Sequence, residues 1–230
     1  MAIALTDWVD RNRVINLSHP YRRDMPDIPP HGQPAFTSAI HKINGEPFTI
    51  GKLAMSTHTG THIDFPSHLL PGGKTQDDFL PEYFLGSAVV LDVKREGISP
   101  ITVDDLRDGG PEIIDGEIVL LYFGYGEKFG SNEYRQAHPY LTTEACEYLV
   151  SKKVRILGLD LQTPDLPASQ RGENFDFPAH RTLLGQDCLI LENLNAQLAL
   201  LARQRIAFSA LPLELPGADG SPVRAVASLV

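Results

Sequence analysis

The segment Thr57–His68 reads THTGTHIDFPSH and admits few conformations. Gly60, three threonines, Ile63 and Pro66 within twelve residues oppose a long helix, through backbone entropy, β-branching and a missing N–H. An extended backbone sorts these residues by parity, with His58, His62, Asp64 and His68 even and Thr57, Thr59, Thr61, Ile63 and Phe65 odd. One face then carries imidazoles and a carboxylate, and the other carries groups suited to packing. Three of the chain's eight histidines lie here. Nitrogen and carboxylate donors with no thiolate among them suit zinc, manganese or another first-row divalent ion. Along a straight strand His58 and His62 stand roughly 13 Å apart at Cα. Both reach one ion only if the chain bends, and Gly60 is where it can. Asp64, with two oxygens, could bridge two ions.

A chain of 230 residues fits one domain with a substantial core. The net charge of −9, with no run of lysine or arginine longer than two, argues against nucleic acid or a membrane surface as partner. MAIALTDWVDRNRV lacks the basic and apolar regions of a secretory signal, and no stretch approaches the ~18 apolar residues of a spanning helix. A cytoplasmic location is expected. Cys146 and Cys188 are isolated in apolar surroundings and read as buried, reduced thiols.

Residues 1–35, with HPYRRDMPDIPPHGQP, read as an extended, proline-rich arm. Strand-like runs follow: AFTSAIHKI, PFTIGKLAMS, SAVVLDVK, EIVLLYF, VRILGLDL, DCLILENL and RIAFSALPL. Helical signals stand between some of them, in TVDDLRDGG, TTEACEYLVSKK and ENLNAQLALLARQR. The expectation is a mixed α/β fold, a sheet covered by a few helices. His19, His31, His41 and His138 have no partner spacing and read as surface or turn residues. FGYGEKFG lacks the Lys-Ser/Thr ending of a phosphate loop.

HTGTHIDFPSH resembles the H-x-G-T-H-x-D-x-P-x-H signature of the cyclase family of metal-dependent hydrolases, which includes bacterial kynurenine formamidases and isatin hydrolases. EYRQAHPYLTTEACEYLVSKKVRILGLDLQTPD, FPAHRTLLGQDCLILENL and GADGSPVRAVA resemble later segments of the same family. The resemblance implies a single domain of mixed-sheet β/β/α swivelling-domain architecture. It also implies two divalent ions, zinc as in the formamidases or manganese as in the isatin hydrolases. Carried onto matching positions, His58 and His62 would hold the first ion, Asp64 would bridge, and His180 and Glu192 would complete the second site. His68 would be the proton shuttle, a role for which imidazole titrates in the right range. The family also implies a homodimer or homotetramer.

The implied chemistry is attack of metal-activated water on an amide-type C–N bond of a small molecule, a formamide, cyclic amide or imide. The chain carries no G-x-S-x-G nucleophile motif. Two departures bear on the substrate. MPDIPP places Ile28 where formamidases carry a tryptophan against an aromatic substrate, and GLDLQTPD has one extra residue before the Thr-Pro pair. Lactone hydrolysis, cyclase or dehydratase chemistry at the same metals, and a non-catalytic metal scaffold are the competing readings. Arg171, Asn174 and Phe175 either line the pocket or sit in a solvated loop.

Overall fold

Apolar runs of four to nine residues, bounded by turns, become strands. The computed structural model describes residues 14–26 and 32–229. The first half contains β1 (Val14–Asn16), β2 (Ala35–Ile43), β3 (Glu46–Ala54), β4 (His62–Asp64), β5 (Leu85–Asp92), β6 (Pro100–Ile101), α1 (Val103–Asp108) and β7 (Ile118–Tyr122). Next come α2 (Asn132–Gln136), β8 (Tyr140–Leu141), α3 (Thr143–Ser151), β9 (Ile156–Leu159), α4 (Pro178–Leu184) and β10 (Leu189–Glu192). The chain closes with β11 (Arg205–Ser209), β12 (Gly220–Pro222) and β13 (Val226–Leu229). Nine strands form one mixed sheet in the order β1-β13-β11-β5-β7-β9-β10-β4-β12. Its centre, β5-β7-β9-β10, is parallel, and the flanking pairs are antiparallel.

The central strands are apolar on both faces because both are covered. Val119, Leu121, Leu157, Leu159 and Ile190 point into one core, which holds residues of α1, α3 and α4. Ile118, Leu120, Ile156, Leu189 and Leu191 point into the other, with Phe65, Phe84 and Leu198. Helices α1 and α3 begin where Thr102 and Thr142 accept hydrogen bonds from Asp105 N and Ala145 N. Cys146 and Cys188 are buried and free, and burial pushes both thiols above their ordinary range. No helix among the described residues is long and apolar enough to cross a membrane.

The seven strand-like runs all contain strands. Two readings change. Val14–Asn16, within the stretch read as an irregular arm, pairs antiparallel with β13, because its β-branched residues reach the second core through Ile15. ENLNAQLALLARQR forms only a short 3₁₀ helix, Ala196–Leu201. Left-handed residues at Asn193 (φ 59°) and Arg203 (φ 63°) bracket it, and Leu194 N is bonded to Leu159 O at 3.0 Å, so the helix cannot extend back to Glu192.

Among the described residues the β2–β3 hairpin pairs only with itself, and it turns at Asn44 and Gly45, both at positive φ, the geometry that Asn-Gly favours. Ile40, Ile43, Ile50 and Leu53 along it are exposed.

Asp160 follows β9 and pins the loop that leaves β7. Its buried carboxylate accepts from the backbone N–H groups of Phe123 (2.8 Å), Gly124 (3.1 Å), Tyr125 (2.9 Å) and Gly126 (3.1 Å). Burial raises the carboxyl and those bonds favour its charged form; burial prevails, and the group is pushed up to about 6. Gly126 in turn lies against the 195–196 backbone, where a Cβ would come within 2.5 Å of Ala196 N. Removing the acceptor strands several buried donors. Asp160→Ala should therefore cost at least about 3 kcal/mol, read by urea unfolding, with Asp160→Asn losing less.

Candidate metal centre

The carboxyl ends of the parallel strands open onto a crevice, the usual place for a site in such sheets. β4 lies there between β10 and β12, antiparallel to both. The register sets His62 opposite Glu192 and Asp64 opposite Ile190, while Ile63 turns into the second core. Parity thus holds along β4, and the chain before it bends. Gly60 has φ 66°, and a Cβ there would come within 2.9 Å of the Tyr21 ring. The bend carries the His58 ring to Gly220, where a Cβ would meet it at 2.4 Å.

These contacts gather the predicted residues around Asp64, whose side chain is 1% exposed. Asp64 Oδ1 lies 2.8 Å from His58 Nδ1 and 3.2 Å from His62 Nε2, and Oδ2 lies 3.6 Å from His180 Nε2. Glu192 Oε2 and Oε1 stand 3.5 Å from His62 Nε2 and His180 Nε2. His68, on a 3₁₀ turn at Pro66–His68, sets its ring centre 4.1 Å from that of His58, the planes tilted by 37°. Potential ligand atoms fall into two sets, each within 4.8 Å: His58, Asp64 and His68, and His62, Asp64 and Glu192. His68 therefore stands within reach of a ligand position as well as of the cavity. Ile28 lies outside the described residues, as does His31.

Neighbours hold the imidazoles in orientation. His62 Nδ1–H donates to Gly60 O (2.9 Å), which also accepts from Asn193 Nδ2 (2.9 Å), and Tyr134 O–H donates to Asn193 Oδ1 (2.8 Å). His180 Nδ1–H donates to Asp165 Oδ2 at 2.5 Å, and Asp165 also accepts from the Ala179 and His180 N–H groups at the start of α4. Both rings thereby direct Nε2 at Asp64 and Glu192, the arrangement by which an outer carboxylate or carbonyl fixes a ligating histidine. Asp165 and Asp219 were not singled out in the sequence. Asp219 Oδ2 faces His58 Nε2 (3.1 Å) and His68 Nδ1 (3.4 Å). The one local signal for it is an acid against a glycine, just before a strand.

The donor chemistry fits a divalent cation. Asp64 and Glu192 are buried with histidines as their ion-pair partners, and no lysine or arginine stands within salt-bridge distance of either among the described residues. Burial works to discharge His58, yet Asp64 and then Asp219 outweigh it and raise the imidazole to about 9. Against the same burial, Asp64 raises His62, and Asp165 and Asp64 raise His180. Asp64 itself is held well below the usual carboxylate range, burial opposing and His62 and His180 prevailing. The carboxylates draw protons onto the rings, as they would draw a metal ion. The centre forms one wall of a cavity of about 490 Å³ that also reaches Gln162, Thr163 and Phe177.

The model of the Cyclase family matches residues 15–166. The chain belongs to the cyclase family. It is 31% identical to a kynurenine formamidase of Bacillus cereus over 222 residues, 96% of this chain and 97% of that protein. Isatin hydrolase A from Ralstonia solanacearum superimposes with a TM-score of 0.78 at 27% identity, covering 95% of this chain and 92% of that one. A Bacillus stearothermophilus structure described as a predicted metal-dependent hydrolase gives 0.72 at 27%, covering 94% and 97%. The mixed sheet with few helices is the fold of this family, and the donor set suits a divalent metal.

Metal binding must displace ring protons. Below about pH 9 the metal-free His58 is largely protonated, so binding becomes tighter as pH rises toward that value and releases protons. Calorimetric titration of Zn²⁺ into the chelated protein at about pH 7.5, in buffers of differing ionisation enthalpy, should show release of about one proton or more. Affinity that does not change with pH would contradict this.

Proposed function

We propose that this chain is a metal-dependent hydrolase of amide-type C–N bonds outside peptides, acting on a formamide, cyclic amide or imide. The observation that carries the reading is the buried Asp64 carboxylate, set among His58, His62 and His180 on the wall of an open cavity. Similarity along most of the chain to a kynurenine formamidase and to isatin hydrolase A supports it.

His58, His62, Asp64, His180 and Glu192 would hold two ions, zinc or alternatively manganese, with Asp64 between them. Bound there, a divalent metal supplies Lewis acidity and an acidified water. The chain's own residues supply the rest. His62 and His180 are kept with Nε2 toward the ligand position by Gly60 O and Asp165. His68 lines the cavity and keeps its Nδ1 beside Asp219, which leaves Nε2 to take up a proton and return it to the leaving nitrogen. Its side chain is 28% exposed, against 4% for His62 and 7% for His180. That exposure suits a group that exchanges protons with substrate and solvent.

The proposal extends to the setting. A cytoplasmic location is supported by two free, buried cysteines. Assembly as a homodimer or homotetramer is supported by the β2–β3 hairpin, since an isolated two-stranded hairpin with exposed isoleucines is marginal in water. Light scattering on the purified chain should give a mass of two or four subunits, and replacing Ile40 and Ile50 by threonine should shift it toward the monomer.

His68→Ala should lower turnover at least about 100-fold while metal content stays near wild type. Loss of metal in that variant would make His68 a ligand. Asp64→Ala should lose both metal and activity, and full metal retention there would sink the two-ion assignment. A panel of small amide, imide and lactone substrates, assayed before and after chelation with elemental analysis, tests the activity. Inertness of the fully metallated protein across the panel would favour a cyclase or a scaffold.

A further inference from the structure

The same cavity is lined by two guanidinium groups that the metal centre does not use. Arg135 on α2 and Arg171, between the turn at Ala168–Gln170 and α4, both line the cavity. Arg135 Nε is buried and has no hydrogen-bond partner. Arg171 is held in place on one side only. Its Nε donates to Leu166 O at 2.8 Å, and its guanidinium lies 4.8 Å from the Phe177 ring centre and 5.3 Å from that of Phe175. The ring contacts hold the guanidinium on one side, and its terminal amino groups have no acceptor among the described residues. Neither arginine has an ion-pair partner among the described residues. Burial pulls the Arg171 guanidinium down, and the charges of Asp165 and Glu192 push it back.

Partly buried guanidinium groups without acceptors cost free energy in the empty site. A ligand that brings an oxyanion between them recovers that cost, and the planar fork matches a carboxylate in two-point contact. Phe177 adds an aromatic surface on the same wall. We propose that Arg135 and Arg171 form a carboxylate subsite, so that the preferred substrates are aromatic or similarly flat carboxylic acids that also bear an N-acyl group, anchored through the free carboxylate while the scissile carbonyl of the amide faces the metal centre. The assignment of a scissile carbonyl rests on the hydrolase reading; the carboxylate subsite does not.

The test uses the full chain loaded with Zn²⁺, with metal content measured in every sample. Wild type, R135Q, R171Q, R135K and R171K are titrated with anthranilate by calorimetry. They are also assayed on N-formylanthranilate and formanilide, which differ by the ring carboxylate. Each glutamine variant should weaken anthranilate binding roughly 10- to 100-fold and lower the kcat/KM ratio of N-formylanthranilate over formanilide by a similar factor. The lysine variants, which keep the charge and lose the fork, should retain part of the binding. Undiminished anthranilate binding in both glutamine variants, or inorganic phosphate binding more tightly than anthranilate, would overturn the carboxylate subsite. Arginine-dependent anthranilate binding without hydrolysis of either formamide would support the subsite and remove the hydrolase reading. Hydrolysis of both with a ratio indifferent to the arginines would do the reverse.

Discussion

An ionised carboxylate in a protein interior needs compensating charge within a few ångströms, and among the described residues Asp64 finds it in imidazoles. Much of the local structure exists to bring those rings to it. β4 is three residues long, but β10 and β12 pair with it on both sides, and Ile63 anchors it in the core. A slip of one residue would exchange Ile63 with the acid and its histidine, which sets the register strongly. The bend at Gly60 delivers His58, and α4 delivers His180 from the opposite direction.

The outer contacts tie these ligands to the frame. Asp165 bonds the first N–H groups of α4 and the His180 ring together, so helix position and ring orientation are set by one carboxylate. Tyr134, Asn193 and Gly60 form a second line, from α2 through the turn after Glu192 to the His62 ring. Asn193 can serve there because its left-handed backbone reverses the chain directly after β10. The clustered imidazoles and acids of two strands and one helix thereby share supports from the segments that follow the carboxyl ends of the parallel strands.

The cavity is lined by groups of both signs, the acids and imidazoles around Asp64 and the guanidinium groups of Arg135 and Arg171, with Phe177 beside Arg171. A small molecule that fills it meets both. The hairpin β2–β3 leads straight into the histidine-rich segment, with Met55, Ser56 and Thr57 joining its end to His58. Contacts made by the hairpin would therefore be felt close to the centre.

Much of this was legible in the residues. Continuous apolar runs bounded by turns marked every central strand, and parity placed His62 and Asp64 on one face with Ile63 on the other, because side chains alternate along a strand whatever the fold. The bend at Gly60 followed from the reach of two imidazoles. His180 and Glu192 came from a likeness to known sequences, since no local rule links them to Asp64. Asp165, Asp219, Asn193 and Arg135 escaped because their meaning lies in contacts between distant parts of the chain, such as the 15 residues from Asp165 to His180 and the 161 from His58 to Asp219. Local sequence determined which segments are extended, which faces are polar and where the chain can turn. Tertiary structure decided which acid meets which ring and which arginine is left without an acceptor, because sheet order and loop packing set those distances.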